Sequence, residues 1–208
     1  MPKYAVLTGD IVNSTLLTSA TEKRLLQRLQ QTLAPYKFEF YRGDSFQALI
    51  KEPLNALRVA LQCRTAALSI RQGNTGIRSD VRISIGIGRV TSPVRSLGTA
   101  KGEAFILSGR AFDEMLTSRD RLSINTSRIE INEGLSILSA YINAIFSQMT
   151  VKQAEVVSQL LRGETQQAIA TTLKKSKSTI HQFVISARWG EIEKLLVQYE
   201  KLINLLPS

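Results

Sequence analysis

The apolar pattern divides the chain into segments with two different periods. Residues 4–8 are an apolar, β-prone run ending at Gly9-Asp10, which predicts a strand that carries Asp10 to its mouth. Leu25, Leu26, Leu29 and Leu33 then recur at helical spacing over residues 21–33, and Pro35 ends that helix. Two β-like runs within residues 38–50 hinge on Gly43-Asp44, a dipeptide suited to the positive backbone angles of a tight hairpin. Pro53 opens a second helix, in which Leu54, Leu57, Val59, Ala60, Leu61, Ala67 and Leu68 supply apolar surface for a sheet. Residues 73–76 read as a loop. Val81, Ile83, Ile85 and Ile87 alternate with Arg82, Ser84, Gly86 and Gly88, the signature of a half-buried strand whose glycines admit a close neighbour. Residues 91–100 read as a flexible connection, residues from Lys101 as a helix through Phe105, Ile106, Phe112 and Met115, and residues 121–126 as a last strand. The resulting βαββαβαβ order predicts an α+β fold with a ferredoxin-like sheet and helices on one face.

Beyond Glu133-Gly134 only helical periods remain, so the chain is divided here into residues 1–134 and an all-α part, 135–208. Leu138, Tyr141, Ile142, Ile145, Phe146 and Met149 form one stripe. Thr150 reads as the N-cap of the next helix, which Gly163 stops. Ile169, Ala170 and Leu173, a polar turn, then Ile180, Phe183 and Val184 have the spacing of a helix-turn-helix over about residues 165–188. Ala170 is small where the two helices would cross, and Lys174 stands where many such turns place glycine. The C-terminal helix, with Ile192, Leu195, Leu196, Tyr199, Leu202, Ile203 and Leu206 on one stripe, is short for a coiled coil and is expected to pack on the rest of the chain.

Composition narrows the partners. Of 208 residues, 43% are hydrophobic and the formal net charge is +10, a balance that suits a folded protein with polyanionic partners. A single cysteine, Cys63, excludes an intramolecular disulfide and any cysteine-based zinc cluster, and the single histidine, His181, excludes a histidine-based metal site. With neither an apolar leader nor a membrane-length apolar run, the expected setting is cytoplasmic, without membrane contact.

The candidate chemistry lies in three short motifs. The start Gly9-Asp-Ile-Val-Asn-Ser14, the hairpin Arg42-Gly-Asp-Ser45 and Ser108-Gly-Arg110, with residues 81–88 between them, resemble in type and order the class III nucleotide cyclase homology domain. With the C-terminal helix-turn-helix added, the arrangement resembles the SatD family of bacterial proteins over nearly the full length. The resemblance implies a nucleotide-cyclase-type sheet, with Asp10, Asp44 and the Ile11 carbonyl as metal ligands for Mg or Mn. It further implies Asn13, Ser14 and Thr15 as a phosphate-binding loop entering the first helix, and Arg110 as the catalytic group that steadies transition-state charge. A nucleoside triphosphate and a homodimer are the partners it implies, and no organic cofactor is indicated. Two positions depart from the cyclase pattern: Ile106 replaces an asparagine one turn before Arg110, and Phe40 replaces a base-reading lysine. Metal and phosphate binding are therefore expected to survive better than cyclisation.

Residues 149–187 resemble the helix-turn-helix of response-regulator and sigma-factor type, with Ala168-Ile-Ala170, Ser176 and Thr179-Ile180 on its pattern. The outward face of the second helix, Lys177, Ser178, His181 and Gln182, with Lys175 and Arg188 beside it, is the expected surface for duplex DNA. The resulting expectation is a DNA-binding regulator whose cyclase-like domain binds or senses a nucleotide or metal. A metal-dependent nucleotide cyclase or related phosphotransferase is one alternative, and a protein-interaction adaptor that does not bind DNA is another.

Overall fold

A computed structural model describes residues 3–41, 43–70, 78–91 and 93–207. Its strands are β1 (Lys3–Val12), β2 (Lys37–Tyr41), β3 (Ser45–Ile50), β4 (Asp80–Arg89) and β5 (Leu122–Thr126). The helices among them are α1 (Ser19–Leu33), α2 (Ala56–Leu68) and α3 (Glu103–Met115). After β5 come α4 (Ile129–Ser147), α5 (Val151–Leu160), α6 (Gln166–Leu173), α7 (Lys177–Ser186) and α8 (Trp189–Asn204). The strands form one sheet in the order β2-β3-β1-β4-β5, antiparallel except for the β4–β5 pair. Its first four strands follow the split β-α-β-β-α-β plan, and α3 adds β5 as a parallel neighbour.

β1 is central because it is apolar on both faces: Ala5, Val6 and Leu7 are all fully buried. On one face Ala5, Leu7, Ile83, Ile85 and Ile87 pack with Leu25, Leu29 and Leu33 of α1 and with α2. On the other face Val6, Leu49 and Val90 pack with Leu97 and Ala104, so α3 covers the opposite side of the sheet. Helices thus lie on both faces, not on one. Gly86 permits this, because a Cβ there would collide with the backbone of Ala104 and Ser108 in α3.

The connection between β4 and α3 is pinned, contrary to the flexibility expected of its composition. Glu39 accepts hydrogen bonds from the Leu97 amide at 2.9 Å and the Ser96 hydroxyl at 3.2 Å, and Leu97 is buried. Lys37 donates to the carbonyls of Val94 and Arg95. The Tyr41 hydroxyl, followed by the Leu97 amide, holds the Glu39 carboxyl below its ordinary range.

The boundary expected at 134/135 falls within α4, which runs unbroken from Ile129 to Ser147. The main apolar cluster continues from the sheet through α2 into Leu138, Ile142 and Phe146 of α4, Ala154 and Val157 of α5, and Ile192, Leu196 and Tyr199 of α8. α2 is the reason: eleven of its thirteen residues are buried, so it faces the sheet on one side and the C-terminal helices on the other. Polar contacts tie the same seam. The Tyr199 hydroxyl donates to the Pro53 carbonyl at 2.7 Å, and Arg58 and Gln62 both donate to the Leu161 carbonyl. Cys63 lies inside this layer, where burial pushes its thiol up to about 12. No helix among the described residues is long and apolar enough to cross a membrane.

α5, α6 and α7 share a second, smaller core of Val156, Leu160, Ile169, Ala170, Ile180 and Val184. Thr150, Thr165 and Ser176 cap the three helices with their side chains. Lys174, at the turn after α6, takes the left-handed conformation with φ of 51°, which explains why glycine suits that position. Replacing Lys174 with glycine should raise unfolding stability by about 1 kcal/mol, the approximate strain of a non-glycine residue there. Chemical denaturation checks this, and a loss of stability would contradict it.

Candidate functional site at the sheet end and the outer face of α7

Register places a row of side chains across four strands at the mouth of β1. Asp10 lies opposite Ser45 on β3 and Arg82 on β4, and Ser45 lies opposite Tyr41 on β2, so all four share the α3 face. The hairpin brings Asp44 beside them: the Ile11 amide donates to the Asp44 carbonyl at 3.0 Å. The Asp44 carboxylate accepts from the Ser14 hydroxyl at 2.8 Å and the Ser45 hydroxyl at 3.3 Å.

Asp10 is less well satisfied. Its Oδ1 is buried with no hydrogen-bond partner, and so is Nε of Arg82, whose Nη1 stands 3.9 Å from Asp10 Oδ2. Burial raises the Asp10 pKa, Arg82 opposes the rise, and the nearby Asp44 charge adds to it. The two carboxylates therefore feel one another. Arg121 faces the same cluster, and its own pKa is lowered by burial and then by Arg82. No group of three or more His, Cys, Asp or Glu suited to a metal occurs among the described residues. The orphaned Asp10 oxygen beside a second carboxylate still fits a hard cation, which would have to share the site with the Arg82 guanidinium.

The Ile11 side chain is buried, so a contribution from Ile11 to the site is through its backbone. Other expected residues are placed differently. Asn13 is left-handed, and residues 14–16 form a single 3₁₀ turn in which the Leu16 and Leu17 amides bond back to Asn13 and Ser14. α1 begins later, at Ser19, capped by Thr18. Asn13, Ser14 and Thr15 therefore do not open the first α-helix, and the Ser14 hydroxyl is committed to Asp44. The Thr18 side chain, three residues before Thr21, is the cap signal that a reading centred on Asn13 passes over.

Arg110 is exposed, and its side chain has no hydrogen bond or ion pair among the described residues. The sheet-facing residues of α3 are Ala104, Ser108, Ala111 and Met115, which leaves Arg110 pointing away from its own Asp10, with Ile106 54% exposed one turn earlier. Phe40 lies on the core side, against Phe38 and Phe46 at 5.9 and 5.8 Å between ring centroids. The neighbours that face the site are Glu39 and Tyr41. Arg82 and Arg121 are the residues that sequence reasoning missed: Arg82 was visible only as a polar position in an alternating strand.

The second cluster is the outer face of α7. Lys177, Ser178, His181 and Gln182 are exposed there, with Lys175 exposed in the preceding turn. Arg188 is not part of that free surface. It is left-handed at the start of α8, donates from Nε to Glu191 at 2.8 Å, bonds the Tyr141 hydroxyl and lies 5.0 Å over the Tyr141 ring. Hydrogen bonds donated to Glu191 by Arg188 and then by the Tyr141 hydroxyl pull its carboxyl down to about 2. Arg188 thus belongs to the α4–α8 seam.

Neither a family model nor a curated protein matches the chain. Among solved structures it is similar to the active GGEEF domain of a diguanylate cyclase from Vibrio cholerae, with a TM-score of 0.44 and 12% identity over 61% of this chain and 83% of that one. It is also similar to a bacterial light-regulated adenylyl cyclase, with a TM-score of 0.42 and 15% identity over 59% of this chain and 74% of that one. Scores this low decide nothing by themselves, and the functional reading rests on the residues.

Proposed function

We propose that the protein is a DNA-binding regulator of the SatD kind, in which α6 and α7 form a helix-turn-helix and the sheet end binds a nucleotide. One observation carries the DNA reading. α7 is fixed on its apolar side by Ile180 and Val184 within a small three-helix core, while its N-terminal part, through Gln182, presents Lys177, Ser178, His181 and Gln182 to solvent. That part is the one a recognition helix inserts into the major groove. Gln182 has the geometry to pair with adenine, and Lys177 to reach a guanine edge or a phosphate.

The test is fluorescence anisotropy against random and selected duplexes at several salt concentrations. Gln182→Ala is expected to cost about 1–3 kcal/mol on the preferred site and little on random DNA. Lys175→Ala should weaken binding to every duplex and lower the salt slope by about 1. If the protein is retained by no duplex at any salt, the adaptor reading replaces this one.

At the sheet end, Asp10 and Asp44 are the side chains that would hold Mg or Mn, with the Ile11 carbonyl as a further ligand. When bound, the ion neutralises the charge of a triphosphate. Arg82 supplies a second positive group on the same face. Turnover by a nucleotide cyclase is the second reading, and the orientation of Arg110 limits it to a homodimer in which each Arg110 serves the other copy. Assay of ATP and GTP with manganese tests it: turnover abolished by both Arg110→Ala and Asp44→Ala would favour the enzyme.

A further inference from the structure

A further cavity lies elsewhere, in the groove between the α1–α2 layer and the α5–α6 helices. It has a volume of about 690 Å³ and is lined by Arg28 of α1, Arg58 of α2 and Arg162 just beyond α5, with Glu155 as the one carboxylate among its described lining residues. Among the described residues none of the three arginines makes an ion pair, whereas Arg64 and Arg188 do. Arg28 donates to the Ser69 hydroxyl at 2.6 Å, Arg58 to the Leu161 carbonyl at 3.3 Å and Arg162 to the Ser158 hydroxyl at 3.3 Å. The Arg28 guanidinium is pushed below its ordinary pKa by burial, Glu155 offsets that, and Arg24 and Arg162 add to the depression. Positive charge converging in a concavity without matching carboxylates is stabilised by an anion from solution.

We propose that this groove is a binding site for a small phosphorylated anion of about nucleotide size, which bridges the sheet-bearing layer and the α5–α7 helices. The volume falls within the range of about 300–1,000 Å³ typical of small-molecule sites. Tyr36, Gln31 and Gln159 line the same wall and supply an aromatic ring and amide groups beside the arginines. Bidentate donation from guanidiniums is the chemistry that selects phosphate over a neutral ligand. The position gives binding a route to α7. Arg58 and Gln62 hold the Leu161 carbonyl at the end of α5, and the chain then turns through Gly163, at φ of 86°, toward α6. An anion that recruits Arg58 changes the contacts at that joint. The site is separate from the Asp10–Asp44 pair and needs no metal.

The experiment uses the full chain in EDTA, titrated calorimetrically with pyrophosphate, ATP and uncharged adenosine. Pyrophosphate or ATP should bind and adenosine should not, and ATP binding well above pyrophosphate would identify a nucleotide as the occupant. Arg162→Gln removes a guanidinium that among the described residues bonds only Ser158, and should weaken binding at least tenfold while the protein stays folded by circular dichroism. Arg28→Gln should do the same, and Asp44→Asn should leave the affinity unchanged. Absence of anion binding in EDTA, unchanged affinity in Arg162→Gln, or loss of binding in Asp44→Asn would each overturn the proposal. Loss of DNA binding in Gln182→Ala leaves this result unaffected, so the two readings fail separately.

Discussion

Replacing Arg64 with alanine is expected to lower the unfolding free energy by about 3–5 kcal/mol, the cost of leaving one member of a buried ion pair alone. The Arg64 side chain is 1% exposed and meets Asp80 through Nε and Nη2 at 3.2 and 2.9 Å. Its Nη1 donates to the Asn143 side chain at 3.1 Å, and its guanidinium lies 4.8 Å over the Phe146 ring. One side chain on α2 thus joins the start of β4 to two turns of α4. After its removal the Asp80 carboxylate retains a bond from the Val81 amide and the more distant charges of Arg78 and Arg121, but loses its hydrogen-bonded ion-pair partner. Urea denaturation followed by circular dichroism measures the effect, and a loss below about 1 kcal/mol would contradict it. Replacing Arg64 and Asp80 together with apolar residues should cost much less than the sum of the single changes, because no charge is then left unpaired. Since α2, α4 and the sheet share one core, the variant should still unfold in a single transition.

Gly86→Ala is the second large change, with an expected loss of about 3 kcal/mol, at the upper end of the usual cost of overpacking. The added Cβ would meet the Ala104 carbonyl and the Ser108 amide, both backbone atoms that move only if α3 moves. Such a shift also pulls on the Ser108 contacts: the Ser84 hydroxyl donates to the Ser108 carbonyl at 2.6 Å, and the Thr8 hydroxyl to the Ser108 hydroxyl at 3.0 Å. Gly88 is the control two residues along the same strand. There the obstruction is the Glu103 side chain, which can rotate away at the loss of its bond from the Arg89 amide. Gly88→Ala should therefore cost clearly less. Equal losses at the two glycines, measured by thermal and chemical denaturation, would show that α3 does not rest on β4 as described.

Several features were legible in the sequence because they depend on local period. The alternation over residues 81–88 marked β4, and the leucines at residues 25, 29 and 33 marked the buried stripe of α1. The inward residues of α6 and α7 were equally plain: Ile169, Ala170, Ile180 and Val184 are buried, with Leu173 and Phe183 partly so. What failed was information held between elements. The apolar content of α2 was enough to predict a packed face but not burial on nearly every side, because the second covering layer comes from α4, α5 and α8, far along the chain. The division expected at Glu133-Gly134 rests on period alone, and Gly134 sits inside α4 with Leu202 of α8 against it. At the sheet end, counting back from the hairpin glycine selected Phe40, whereas the pleat turns Glu39 and Tyr41 toward Asp10. Arg82 became visible as the neighbour of Asp10 only through strand register, and Arg188 as a seam residue only through the position of Tyr141 on α4.

The burial of Cys63 has a practical consequence. A fully enclosed thiol, raised to about 12, carries almost no thiolate at neutral pH and is closed to reagents. The native chain is thus chemically silent toward maleimide and methanethiosulfonate probes, with no cysteine to remove first. Single cysteines introduced at exposed positions such as Gln182 on α7 and Arg110 on α3 would take a spin label or fluorophore at one address each. Pairs of them would turn the separation between the outer face of α7 and α3 into a measurable distance, with and without an added anion.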